Sequence, residues 1–229
     1  MIGVVVPVHN EEDHLEACLR ALAMAATHPA LGGEAVRVVI VLDACDDGSA
    51  AIAQRHAPER ITCLTIAARN VGEARRAGAQ HLLAQQARWL AFTDADSRVA
   101  PDWLVAQLAL RADAVCGLVT VEDWSPQPPH VATRFAARYR REEGHRHVHG
   151  ANLGVCSHAY RRAGGFLPHP VSEDVALIEA LQAINAHIAW STLPQVTTSA
   201  RARGRLAGGF ADHLSMLATL HEGETRCPE

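Results

Sequence analysis

Trp89-Leu90-Ala91-Phe92-Thr93-Asp94-Ala95-Asp96 sets a short apolar run directly against two carboxylates two residues apart. The run reads as a buried strand. The Asp-x-Asp at its end presents oxygen to a hard divalent cation; Mg²⁺ and Mn²⁺ prefer such ligands, usually shared with substrate phosphates. Two stretches upstream repeat the pattern. Val4-Val5-Val6-Pro7-Val8-His9-Asn10-Glu11-Glu12 and Val39-Ile40-Val41-Leu42-Asp43 are also apolar runs closed by acidic or amide side chains. In open parallel sheets ligands bind in the crevice beyond the carboxyl ends of the strands. The clusters Pro7–Glu12, Asp43–Ser49 and Asp94–Ser97 are therefore expected on one rim.

Outward from these runs the hydrophobic period alternates between strand and helix. Ile2–Val8, Val36–Leu42, Ile61–Ile66 and Trp89–Thr93 read as strands. Glu11–Ala26, Asp47–His56, Asn70–Ala87 and Pro101–Arg111 read as helices, with Leu15, Leu19 and Leu22 at helical spacing and Asn10 as an N-cap. This alternation predicts an α/β fold, a mainly parallel central sheet with helices on both faces. The second half is less regular. Val115–Val121, Ala151–Cys156 and His187–Ser191 are expected strands, and Val131–Glu143 and Ser172–Ala186 expected helices. The first of these helices carries Phe135 and Tyr139 on one side and several arginines around it. That pattern suits either a membrane-surface helix or the solvated outer face of a docked one. No internal repeat or long linker divides the 229 residues, so one domain over 1–229 is expected, with a frayed tail at 222–229.

Composition removes several function classes. Formal net charge is −4 with no long basic run, which argues against nucleic acid as the main partner. All 21 basic residues are arginine, so a Schiff-base or P-loop lysine is excluded. Arginine's planar fork suits phosphate and carboxylate. None of the six cysteines has Cys-x-x-Cys spacing, which disfavours a zinc ribbon and fits a reducing compartment. No apolar segment reaches the roughly 20 residues needed to cross a bilayer. A cytoplasmic protein is expected, with peripheral membrane contact through the 131–141 helix left open.

The Gly-x-Gly-x-x-Gly fingerprint is missing from the first turn, which disfavours a dinucleotide-binding dehydrogenase. A carboxylate at Asp43 able to accept N–H donors from a base, and a cation at Asp94 and Asp96 able to neutralise a pyrophosphate, together describe a nucleoside-diphosphate site. His145, His147 and His149 would share a face on a strand, which permits chelation; surface histidines are the other reading.

The motifs in order resemble those of the inverting family-two glycosyltransferases, which have the GT-A fold within the nucleotide-diphospho-sugar transferase superfamily. The resemblance rests on Val-Pro-Val-His-Asn-Glu-Glu over residues 6–12, Asp43 with Asp46-Asp47-Gly48-Ser49, and Arg69-Asn70-Val71-Gly72-Glu73-Ala74-Arg75. It continues through Thr93-Asp94-Ala95-Asp96, His149-Gly150-Ala151-Asn152, and Gly164-Gly165-Phe166 followed by Glu173-Asp174. It implies a nucleotide-binding half over 1–100 and an acceptor-binding half over 101–221. Pro7, Asn10, Glu11 and Asp43 would line the nucleoside pocket, and Arg75 would approach the nucleotide or the base of the metal loop. Asp96, with Asp94, would hold Mg²⁺ or Mn²⁺ against both phosphates. Asp174, beside Glu173, would be the general base toward an acceptor hydroxyl, and Gly150 and Asn152 would lie on the acceptor side. Arg203 and Arg205 would belong to a lid over the diphosphate.

The donor would be a nucleoside-diphosphate sugar, a UDP-sugar by family frequency, with the acceptor unspecified. Other classes stay open: a nucleotidyltransferase of similar fold, though residues 5–14 lack its basic Gly-rich loop, and a nucleotide-sugar-binding module without turnover. A haloacid-dehalogenase-like phosphatase usually opens with its Asp-x-Asp on the first strand, whereas here the motif follows the fourth.

Overall fold

The computed structural model describes residues 1–56, 61–202 and 209–219. Ile2–Val8 forms β1, and its side chains divide between two cores because successive strand residues face opposite ways. Ile2, Val4, Val6 and Val8 point to one side, where Leu15, Cys18, Leu19 and Leu22 of α1 (Leu15–Ala26) cover them. Val5 points to the other, joined by Val39 and Val41 of β2 (Val36–Asp43). There α3 (Val71–Ala84) covers them with Ala74, Ala79 and Leu82. Gly78 lets this helix lie flat on the sheet, since a Cβ there would stand 2.5 Å from a methyl of Val5. Each fully buried Leu or Val contributes about 1.5–3 kcal/mol.

Between them α2 (Ser49–Arg55) leads to β3 (Ile61–Ile66), and α3 leads to β4 (Trp89–Phe92). A short β5 (Arg98–Val99) and α4 (Trp103–Ala109) precede β6 (Ala114–Thr120) and α5 (Pro129–Arg138). β7 (Leu153–Cys156), α6 (Ser157–Arg162), α7 (Glu173–Ala183), β8 (Ile188–Thr197) and α8 (Phe210–Thr219) complete the described chain. The described strands make one sheet in the order β3-β2-β1-β4-β7-β6-β8-β5. The β3-β2-β1-β4 block is parallel throughout, as is β6 with β8, while β7 runs antiparallel to β4 and β6 and β5 antiparallel to β8. The α/β, mainly parallel architecture is thus as the sequence predicts. Strand order reverses between β1 and β4, which opens a crevice at their carboxyl ends.

Four local expectations are corrected. Asn10 does not cap α1: its φ is 55° and its amide exchanges hydrogen bonds with Asp46, while the helix starts at Leu15 behind His14. The basic helix stops at Arg138, because Tyr139 turns to extended backbone and sends its ring inward. Val131 and Phe135 of this helix pack on Leu214 and Leu217 of α8, and Arg134 donates to the Leu217 carbonyl at 2.8 Å. Its apolar side is therefore a docked face. β8 runs on to Thr197, well past the predicted end at Ser191, by pairing with β6 across a bulge and then with β5. α6, α8 and β5 were not predicted.

No helix among the described residues is long and apolar enough to cross a membrane. Cys18, Cys45, Cys63, Cys116 and Cys156 are free thiols.

Candidate active site

A cavity of about 840 Å³ opens on the rim where β1, β2 and β4 end. Pro7, Glu11, Asp43, Arg75, Asp94, Asp96, Gly150, Glu173, Asp174 and Arg201 all reach it.

Asp43 ends β2 and is 3% exposed. Its Oδ1 accepts from the amides of Ala68 and Arg69 at 2.7 and 2.8 Å, and its Oδ2 from that of Asn70 at 2.7 Å. The carboxylate thereby fixes the loop that follows β3. Asn70 carries the effect onward: its Oδ1 caps α3 at Glu73, and its Nδ2 donates to the carbonyl of Pro168 at 3.0 Å. Gly72 packs against the backbone of residues 167–169, where a Cβ would collide with carbonyl oxygens. The segment 69–75 thus ties the parallel block to the loop before α7.

Arg75, on α3 and 3% exposed, joins the two acidic motifs. Its Nη2 donates to Asp94 Oδ1 at 2.5 Å and its Nη1 to Glu173 Oε1. The guanidinium also lies over the Phe166 ring, 5.8 Å from its centroid. Gly150 makes room for it, since any Cβ at that position would overlap the guanidinium. Burial pushes the Asp94 carboxyl up from the ordinary carboxylate range, and Arg75 opposes the rise.

Glu173, first residue of α7, is buried behind Arg75. Asp174 faces the cavity; its Oδ2 accepts from the Gly150 amide at 2.7 Å and its Oδ1 from that of Val175 at 2.8 Å. Asp96 is held differently. Its Oδ2 takes two donors from the Arg201 guanidinium, one of them Nε at 3.1 Å, and its Oδ1 accepts from Ser97 Oγ at 3.2 Å. Arg201 Nη1 also donates to Glu11 Oε1 at 2.8 Å.

Two predicted residues do not line the cavity. Asn10 is tied to Asp46 outside it. Asn152 is fully buried, donating to the carbonyls of Leu118 and Pro194 and accepting from Trp103 Nε1. It fastens β6, β8 and α4 together. Arg203 and Arg205 lie outside the described residues.

The far wall was not foreseen as a unit. His145, His147 and His149 are not on a strand; their rings stack in a ladder at 5.6 and 6.0 Å, with Tyr139 on His147 at 4.2 Å. Val119 N–H donates to Tyr139 Oη at 3.0 Å, and that hydroxyl lies 2.8 Å from His149 Nε2. Burial, then the neighbouring histidines, drives His149 down to about 3, while burial pushes Tyr139 up to about 12. The imidazole is therefore neutral, and a single hydrogen bond joins it to the tyrosine hydroxyl. Among the described residues no group of three or more His, Cys, Asp or Glu side chains is arranged to hold a metal. The only hint in the sequence was the alternating histidines, and the tyrosine that organises them lies six residues before the first.

The sequence matches the family model "Glycosyl transferase family 2" over residues 3–163. The chain belongs to glycosyl transferase family 2. The fold of this family-two chain is also that of solved glycosyltransferase structures. Staphylococcus aureus TarS (residues 1–349, in complex with UDP) superposes with a TM-score of 0.63 at 14% identity, over 87% of this chain and 61% of that one. A mannosyltransferase from Pyrobaculum calidifontis, in complex with GDP-Man and Mn²⁺, gives 0.64 at 19% identity, over 89% and 58%. TarS in complex with UDP-GlcNAc gives 0.66 at 13% identity, over 96% and 68%. The chain thus spans about three fifths of the first of these structures. No curated protein matches the sequence.

Proposed function

We propose that this family-two chain transfers a sugar from a nucleoside-diphosphate sugar, with a UDP-sugar favoured, to an acceptor hydroxyl with inversion. The observation that carries the reading is the Arg75 bridge between Asp94 and Glu173, which sets the Asp-x-Asp motif and Asp174 on one cavity. The UDP and UDP-GlcNAc bound to TarS and the GDP-Man bound to the mannosyltransferase support a nucleotide-sugar donor. In this reading residues 1–100 hold the nucleotide, residues 101–221 take the acceptor, and the protein works in the cytoplasm.

The donor set fits Mg²⁺ or Mn²⁺. Asp94 and Asp96 place hard oxygens on the same cavity, held here by Arg75 and Arg201, and such ions use one or two carboxylates and complete their shell from phosphate and water. The Mn²⁺ beside GDP-Man in the mannosyltransferase supports this choice. When bound, the cation supplies Lewis-acid stabilisation of the departing diphosphate.

The remaining work falls to the chain. Asp43 holds the wall of the nucleoside pocket beside Pro7, with Arg203 and Arg205 assigned to the diphosphate. Asp174 accepts the acceptor's proton while that oxygen forms its bond to the anomeric carbon. The bond from that carbon to the β-phosphate oxygen breaks on the opposite face, its electron pair leaving with the nucleoside diphosphate. The Gly150 and Val175 amides keep the Asp174 carboxylate oriented.

The test is incubation with Mn²⁺ and a panel of UDP- and GDP-sugars, with nucleoside-diphosphate release measured against acceptor alcohols. Release that needs Asp174 and stops with EDTA supports the reading. Pyrophosphate as product would make the chain a nucleotidyltransferase, and nucleotide-sugar binding without any release would make it a binding protein.

A further inference from the structure

Arg201 touches two of the acidic residues on the donor side of the cavity, Glu11 and Asp96. Its guanidinium reaches Glu11 through Nη1 and Asp96 through Nε and Nη2, with side-chain exposures of 21% for the arginine, 7% for Glu11 and 12% for Asp96. Both oxygens of Asp96 are engaged, Oδ2 by the arginine and Oδ1 by the Ser97 hydroxyl. A cation approaching Asp96 meets a fixed positive charge on the oxygen it needs. The backbone behind Arg201 is anchored, because Gln127 Nε2 donates to the carbonyls of Ala200 and Arg201 at 3.0 and 3.1 Å. Relief of the contact is therefore a swing of the side chain.

The geometry points to Arg201 as a resident cation of the donor site, which holds Asp96 closed to divalent metal until a nucleoside diphosphate draws the guanidinium onto its phosphates. This deepens the proposed function and rests on it. A diphosphate is the competitor suited to the task, since it offers an arginine fork two charged, bidentate oxygen pairs. Once the guanidinium leaves, Asp96 regains an open carboxylate oxygen. Metal and nucleotide then favour each other by the same factor, as linkage requires.

The experiment is Mn²⁺ binding, read from the electron paramagnetic resonance of the free aquo ion. Wild type, Arg201→Met and Arg201→Lys are compared without nucleotide, with UDP and with GDP. Wild type should bind Mn²⁺ weakly alone and tightly with UDP or GDP. Arg201→Met should bind Mn²⁺ without nucleotide about tenfold more tightly than wild type, within the roughly 5–150-fold span of site-to-site coupling. Its gain on adding nucleotide should shrink accordingly, and Asp96→Asn in the same background should abolish the improvement. Arg201→Lys, which keeps the charge but not the fork, should show a smaller gain of the same sign and serves if the methionine variant does not fold.

Equal nucleotide-free affinity in folded wild type and Arg201 variants, with nucleotide-dependent Mn²⁺ binding intact, overturns the role of Arg201 alone. Absence of Mn²⁺ binding in every folded protein, even with UDP or GDP, overturns the metal-dependent reading as well.

Discussion

Glu173 and Asp174 are neighbours in the chain and do different work: Glu173 is buried against Arg75, while Asp174 faces the cavity and accepts the Gly150 amide at 2.7 Å. Both line the cavity, but Arg75 holds the Glu173 carboxylate, so the proposed base is Asp174. Asp174→Asn should lower kcat by roughly 10²–10⁴-fold, the usual worth of a general base, with donor KM little changed. Glu173→Gln should act mainly on folding stability. Steady-state kinetics beside urea unfolding separates the two; a fully active Asp174→Asn enzyme would remove the proposed mechanism.

Arg75 satisfies two carboxylates from a position closed to water. Removing Arg75 leaves the buried Glu173 carboxylate uncompensated, so Arg75→Met should cost about 3–5 kcal/mol of stability, with little of it from the more exposed Asp94. Arg75→Lys should not rescue it, because one ammonium lacks the fork that spans Asp94 and Glu173. Denaturant midpoints at constant m-value check both.

Asp43 accepts three backbone amides from residues 68–70. In Asp43→Asn the NH₂ group faces at least one N–H donor. A loss of about 1–3 kcal/mol is expected for the unsatisfied buried groups, together with a raised donor KM as the loop loosens. Parallel thermal unfolding and donor titration test this; a change in KM with no loss of stability would mean that Asp43 acts on the base directly.

The histidine wall makes a prediction about pH. His149 takes its proton near 6.5 in the unfolded chain and near 3 when folded, and His147 and His213 are also lowered by burial. Between those values the unfolded chain binds more protons, so stability must fall as pH falls from about 6.5 toward about 3. His149→Gln should flatten the dependence by up to about 1.4 kcal/mol per pH unit. Urea unfolding of both proteins between about pH 6.5 and 5, above most carboxylate titration, reads the difference. Identical slopes would show that His149 is hydrated.

The parallel block was legible in one dimension. Ile2–Val8 and Ile61–Ile66 fold over the predicted residues because a run of β-branched and apolar side chains announces a buried strand from its own composition. The rim clusters followed from strand ends alone. The sequence pattern ends β8 at Ser191 because Ser191-Thr192-Leu193-Pro194-Gln195 carries little strand signal; pairing with β6 and β5 extends the strand to Thr197. The partnerships inside the site belong to the folded chain. Arg75 meets Glu173 across 98 positions, and Arg201 meets Asp96 across 105 and Glu11 across 190. With 21 arginines and 25 acidic residues, charge pattern names no pair among them. An ion pair is chosen by separation in space and by exclusion of water, and both arise only when the helices close over the sheet.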